Sequence, residues 1–309
     1  MSYPTADMLT LFTPWMRQAR HHLRRFEEEI NAMNVFPVPD ADTGSNLLTT
    51  VSAAAEASSP QEGIQAAFHR ARGNSGTLFS AWLSALVRSL GVEGRFTPEA
   101  LHVALFTAAQ AAEKTMSAPA EGTILSVMQA LAKAPLTGEM PEHLHSLAQV
   151  AVEAARATGQ TQHEAAQAHT YDAGAVGLFI VINGLSIVYS GRQVPETEYT
   201  QLLKPPSRLN TPHRQRQDEV ELICELAADV SKIAQLRSDL TPLGDSLTIV
   251  PAPEAGAEPQ RWLVHLHTAQ PDRAVERVRQ VAEPDNLRFT SLADGRHEPH
   301  PSTDRPQDG

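Results

Sequence analysis

Apolar residues recur every three or four positions through the first 190 or so residues of this 309-residue chain, the spacing that gives a helix one buried face. The pattern predicts helices over 8–33, 47–57, 60–70, 77–90, 98–116, 124–134, 141–157, 163–168 and 178–189. Alanine is abundant in these segments, which favours helix and close helix packing. From 191 to 217 the period is lost. Pro195, Pro205, Pro206 and Pro212 break any long element there, so the stretch reads as a linker or a peripheral wrap. Beyond it the pattern predicts strands over 220–224, 246–250, 262–267 and 287–290, helices over 227–240 and 272–282, and a polar hairpin loop over 252–260. The expected fold is multidomain, α followed by α/β. Residues 1–195 form an all-α domain, 196–217 a linker, 218–293 a small α/β domain, and 294–309 a polar tail expected to be disordered.

Charge and composition narrow the classes. A formal charge of −11 argues against nucleic-acid binding, which calls for a basic face. Cys224 is the only cysteine, so no intramolecular disulfide forms. The first residues carry Pro4, Asp7 and Pro14 in place of a basic segment and a long apolar core, so no secretion signal is expected. The most apolar run, 175–189, is interrupted by Asn183 and Gly184 and is shorter than the roughly 20 residues that span a bilayer. It is expected to be a buried core helix, in a cytoplasmic protein with no transmembrane segment.

The candidate chemistry begins at Asn34-Val-Phe-Pro-Val-Pro-Asp-Ala-Asp-Thr-Gly-Ser-Asn46. Pro37 and Pro39 stiffen an arm that ends in Asp40 and Asp42. Thr43 to Asn46 then open a helix. Two hard oxygen donors at a helix start suit a divalent cation beside a phosphate. The alternative is ordinary turn and cap chemistry. Three further junctions share the character: Arg72-Gly73-Asn74-Ser75-Gly76, Glu121-Gly122-Thr123, and Asp172-Ala173-Gly174, each before an apolar helix. Each alone is compatible with a helix stop and restart. Together they predict one end of a helical bundle built to hold a ligand.

In their order these motifs resemble the DhaL domain, the nucleotide-binding domain of dihydroxyacetone kinase L subunits, in the form found in the A subunit of bacterial fatty acid kinase. The likeness covers roughly residues 5 to 195. Leu-Gly-Asp-Ser-Leu at 243–247 and Val-His-Leu-His-Thr at 264–268 extend it into the middle domain of the same kinase component. The resemblance implies an antiparallel helical barrel with MgATP at one end. It also implies phosphoryl transfer to a fatty acid carboxylate held by a DegV-like fatty-acid-binding carrier, and a homodimer. By matching position, Asp40 and Asp42 would hold Mg²⁺, with Asn34 near a further metal-side position. Thr43 and Asn46 would lie beside the phosphates. Gly73, Asn74, Ser75 and Gly76 would cradle them, and Gly122, Thr123, Asp172 and Gly174 would line the ATP/ADP pocket. Arg72 is the nearest cation and would offset developing charge, or stand solvated at a helix end. The chain is expected to lack the family's C-terminal domain. Two other functions stay open: a kinase for a small hydroxy-ketone such as dihydroxyacetone, and a non-catalytic nucleotide-binding regulator.

His265 and His267 alternate on a strand and so share a face. If Cys224 lies on a neighbouring strand, a thiolate and two imidazoles suit Zn²⁺. The other reading is a buried cysteine and two structural histidines. The resemblance favours zinc, because the family's middle domain can carry a Cys/His metal site at matching positions.

Overall fold

The computed structural model describes residues 7–35, 41–91, 96–161, 165–166, 169–203, 218–254 and 259–292. The helical unit runs α1 (Met8–Arg25), α2 (Glu27–Met33), α3 (Thr43–Glu56), α4 (Pro60–Arg70), α5 (Gly73–Leu90), α6 (Pro98–Thr115), α7 (Ile124–Ala132), α8 (Met140–Thr161), α9 (Ala173–Ser190) and α10 (Glu196–Leu202). Local sequence starts several of them. The Asp7, Ser59 and Thr97 side chains accept the N–H groups of Thr10, Glu62 and Ala100, and Pro60 and Pro98 open α4 and α6. Helix α9 is the axis of the unit and packs on α1, α3, α7 and α8. It is long and apolar enough to cross a membrane by length and composition, but 78% of that span is buried inside the fold, as expected of a core helix.

Three differences from the expected helices have physical causes. The segment 8–33 is two helices, because Phe26 leaves helical geometry (φ −117°, ψ 18°) and stacks on Tyr199. Helices α3, α5 and α9 begin one turn before the apolar pattern does, since their first turns are built of Gly, Ser, Thr, Ala and Asn. Helix α10 lies in the expected linker. Its Tyr199 and Leu202 are buried in the main helical core, so this part of the stretch belongs to the helical unit. Most of 163–168, residues 204–217 and the tail 294–309 lie outside the described residues.

The second unit runs β1 (Val220–Ala227), α11 (Val230–Leu240), a 3-10 turn (Thr241–Leu243), β2 (Asp245–Pro251), β3 (Arg261–Thr268), α12 (Pro271–Val281) and β4 (Asp285–Ser291). Its sheet has the order β2-β3-β1-β4, antiparallel throughout. Strand alternation sends Leu222, Cys224 and Leu226 to one face, where they form a core with Ile233, Leu236 and Val278 of α11 and α12. On the other face Ile223, Val250 and Leu263 pack on Phe68, Ala71 and Ala81 of the helical unit. The two units are also joined at an edge: Ser117 N–H donates to the Leu247 carbonyl at 3.1 Å, and Met116 forms an antiparallel bridge with Thr248. The second face of the sheet therefore packs on the end of α4 and on α5.

Candidate functional site

The starts of α3, α5, α7 and α9 converge on one cleft that is open to solvent on one side. Asn34, Asp42, Thr43 and Asn46 line it from the first motif, and Gly73, Asn74 and Ser75 from the second. Thr123, Asp172 and Gly174 complete the polar side. Leu78, Met116, Ala120 and Ile124 form an apolar wall, and His267 enters from β3. Asp40 lies outside the described residues. Arg72 occupies the cap position of α5 beside the cleft. Gly76 and Gly122 are not among the lining residues. Gly76 instead lets α5 approach α3, since a Cβ there would sit 2.7 Å from Thr50 Oγ1.

Each start is held by its own sequence. Gly73 has a φ of +57°, and a Cβ on it would fall 2.3 Å from Asn46 Nδ2, so the glycine and the asparagine amide share one corner. Ser45 ties α3 to α2: its hydroxyl donates to Glu27 at 2.7 Å and its N–H to Asn31 Oδ1 at 3.1 Å. Thr123 caps α7 and Asp172 caps α9, the latter accepting the Ala175 N–H at 2.7 Å. The positive dipole ends of these helices make the cleft attractive to anions.

Burial pushes the Asp172 carboxyl up to about 7, against the pull of the N–H groups of Ala175, Ile124 and Gly174. A carboxyl raised in the folded state costs stability as pH climbs from its unfolded value through its folded one. Asp172→Asn keeps a good cap without the charge. Urea unfolding should show this variant gaining on the wild type between pH 4 and 7 and levelling above, by on the order of 4 kcal/mol. A difference that does not vary with pH would contradict the assignment.

The strand register decides the second cluster. Glu221 lies opposite His267, Ile223 opposite His265, and Cys224 opposite Val264. Cross-strand partners share a face, so Glu221 joins the two histidines and Cys224 does not. This corrects the expected Cys224–His265–His267 set. Cys224 is buried in the apolar core on the far face, and burial pushes its thiol up to about 12. The candidate ligand atoms of Glu221, His265 and His267 all lie within 4.8 Å of one another. His265 Nδ1 is 3.1 Å from the Ser246 carbonyl, a contact that leaves Nε2 for a ligand or a proton. That Nε2 lies 3.0 Å from Glu221 Oε1, which also accepts the Gly73 N–H at 3.0 Å. Burial alone would raise the Glu221 carboxyl; the hydrogen bond and charge of His265 outweigh it and hold it at about 2. Two imidazoles and a carboxylate fit Zn²⁺ with a fourth position open. The signal for Glu221 was in the sequence: two carboxylates, Glu221 and Glu225, alternate with Leu222, Cys224 and Leu226 along one strand.

Comparison with known proteins agrees with this architecture. Residues 37–186 match the DAK2 domain, and residues 217–298 match the middle domain of proteins like the A component of fatty acid kinase. Protein YloV of Bacillus subtilis (strain 168) is 26% identical over 310 residues, covering 92% of this chain and 55% of that protein. The uncharacterized protein MG369 of Mycoplasma genitalium is 27% identical, over 59% of this chain and 37% of its own length. The uncharacterized protein SH1689 of Staphylococcus haemolyticus is 23% identical, over 93% and 56%. The chain thus spans about half the length of the curated relatives it matches along most of its own. With the helical cleft in the first match and the Glu/His/His face in the second, the chain belongs to the kinase-related proteins that join a DAK2, or DhaL-like, domain to a middle domain of the fatty acid kinase A type.

Proposed function

We propose that the cleft binds MgATP and that the protein transfers its γ-phosphoryl group to the carboxylate of a fatty acid presented by a DegV-like carrier protein. The observation that carries this reading is the convergence of helix starts, Asp42 and an apolar wall on one cleft. In this reading Asp40 and Asp42 hold Mg²⁺, with Asn34 beside them. Thr43, Asn46, Gly73, Asn74 and Ser75 take the phosphates, and Met116 and Ala120 offer a surface for the base. Phosphoryl transfer asks chiefly for alignment and charge neutralisation, which N–H groups and a metal supply. A fatty acid carboxylate is ionised at neutral pH, so no general base is needed. Glu221, His265 and His267 would hold Zn²⁺ at the edge of the same cleft, where the ion would supply positive charge near the phosphates. His267 lines the cleft itself, which supports a role for the middle domain at the site.

The test is incubation with γ-labelled ATP, Mg²⁺ and oleate loaded on the carrier, with acyl phosphate trapped as hydroxamate. Trapped product that depends on all three supports the reading. Label passing to dihydroxyacetone instead would select a hydroxy-ketone kinase, and no transfer despite nucleotide binding would select a regulator.

A further inference from the structure

Arg288 on β4 lies opposite Ile223 on β1, so both project from the sheet face that meets the helical unit. Their neighbours on β1 locate that point. Glu221 accepts the N–H of Gly73 at 3.0 Å, and the Glu225 carboxylate lies 3.0 Å from His69 Nδ1. Ile223, midway, packs in the cluster that holds Phe68 and Ala71. Arg288 therefore stands over the junction of α4 and α5, where Arg70 ends α4 and Arg72 caps α5. Both oppose its charge, while Glu225 and Glu221 favour it. Yet its Nε is buried without an acceptor among the described residues. The two carboxylates nearby are already engaged, Glu221 by His265 and Gly73, Glu225 by His69, Arg261 and Asn286. A half-buried guanidinium beside like charges, with an unmet donor, is a costly arrangement that an arriving anion would relieve.

Position indicates which anion. Arg72 directly precedes Gly73 of the cleft, but neither Arg72 nor Arg288 is among the residues that line it. The nucleotide phosphates have their own donors inside. Resting on the phosphotransferase reading above, we propose that Arg288 of the middle domain, together with Arg72, binds the carboxylate of the phosphoryl acceptor at the rim of the nucleotide cleft. Carboxylate and triphosphate are both anions and repel as they approach, in a chain whose own charge is −11. Arginines at the rim offset that repulsion, and a guanidinium grips a carboxylate in a two-point fork. One carboxylate oxygen then forms a bond to the γ-phosphorus while the bond from that phosphorus to its bridging oxygen breaks. The electron pair leaves with ADP, and no proton is transferred.

The experiment is a ligand-observed NMR titration of octanoate into the protein saturated with MgADP, for wild type, Arg288→Gln and Arg288→Lys. Arg288→Gln should weaken octanoate binding by at least about tenfold, the scale of a lost charged hydrogen bond, and Arg288→Lys should recover part of it. Octanol, with the same chain and no charge, should bind both variants alike. MgADP affinity within about twofold of wild type marks an intact fold and an intact cleft. Equal octanoate affinity in wild type and Arg288→Gln, or no octanoate binding by the wild type, overturns the proposal. If MgADP does not bind, the same titration on the nucleotide-free protein still decides: binding that depends on Arg288 upholds the anion site while the phosphotransferase reading falls.

Discussion

Asp42→Ala is expected to lose Mg²⁺-dependent ATP binding by about a hundredfold or more, the scale of removing a carboxylate from a metal–phosphate site. The fold should survive. Asp42 precedes the first turn of α3 and makes no side-chain cap hydrogen bond there. What holds that turn is Ser45 on Glu27 and Asn31, together with the buried face of Leu47, Leu48 and Val51. Circular dichroism should show unchanged helix content, with unfolding shifted by about 1 kcal/mol, the usual size for a substitution outside the core. Calorimetry then separates the metal role from a structural one. A variant that binds MgATP like the wild type would remove Asp42 from the site.

Glu221→Ala should strongly destabilise the second unit. One carboxylate oxygen serves both the Gly73 N–H and His265 Nε2, each at 3.0 Å. Removing it leaves a helix-start donor and an imidazole buried without an acceptor, at a cost of about 2–4 kcal/mol. The same change removes one of the three candidate metal ligands, so metal analysis after zinc loading should fall from about one ion per chain to well below half, by the ligand-count logic of such sites. Cys224→Ala is the control. It should cost about 1 kcal/mol through a small cavity and leave metal content as in the wild type. If Cys224→Ala loses the metal and Glu221→Ala keeps it, the register-based assignment is wrong.

What could be read from the chain without coordinates was governed by period. The period of 3.6 marked α4, α6 and α7 nearly to their ends, because each carries its apolar face from the first turn. It missed the first turns of α3, α5 and α9 because those turns, which border the cleft, are built of small or polar residues: Thr43–Asn46, Gly73–Ser75, and Ala173–Gly174 after Asp172. The motifs located that end of the bundle, but the apolar wall of Leu78, Met116 and Ala120 looks like any other helix face or loop in sequence. The Glu221–His265–His267 cluster was half legible. His265 and His267 share a strand, so their common face follows from alternation alone. Their third partner depends on how β1 and β3 align, and a shift of one residue exchanges Cys224 for its neighbours on the other face. Nothing local to the segment 220–225 sets that register. It is set by the two cores on either side of the sheet, Leu222 and Cys224 against α11 and α12, and Ile223 against Phe68 and Ala71.

If the helix starts and Asp42 form a site for a magnesium nucleotide, calorimetric titration of ATP into the purified protein, with and without Mg²⁺, shows it most directly. One site per chain is expected, with affinity that falls at least about tenfold when Mg²⁺ is withheld, as for phosphates clamped by a metal. Absence of binding in both conditions, or binding indifferent to Mg²⁺, would contradict the assignment.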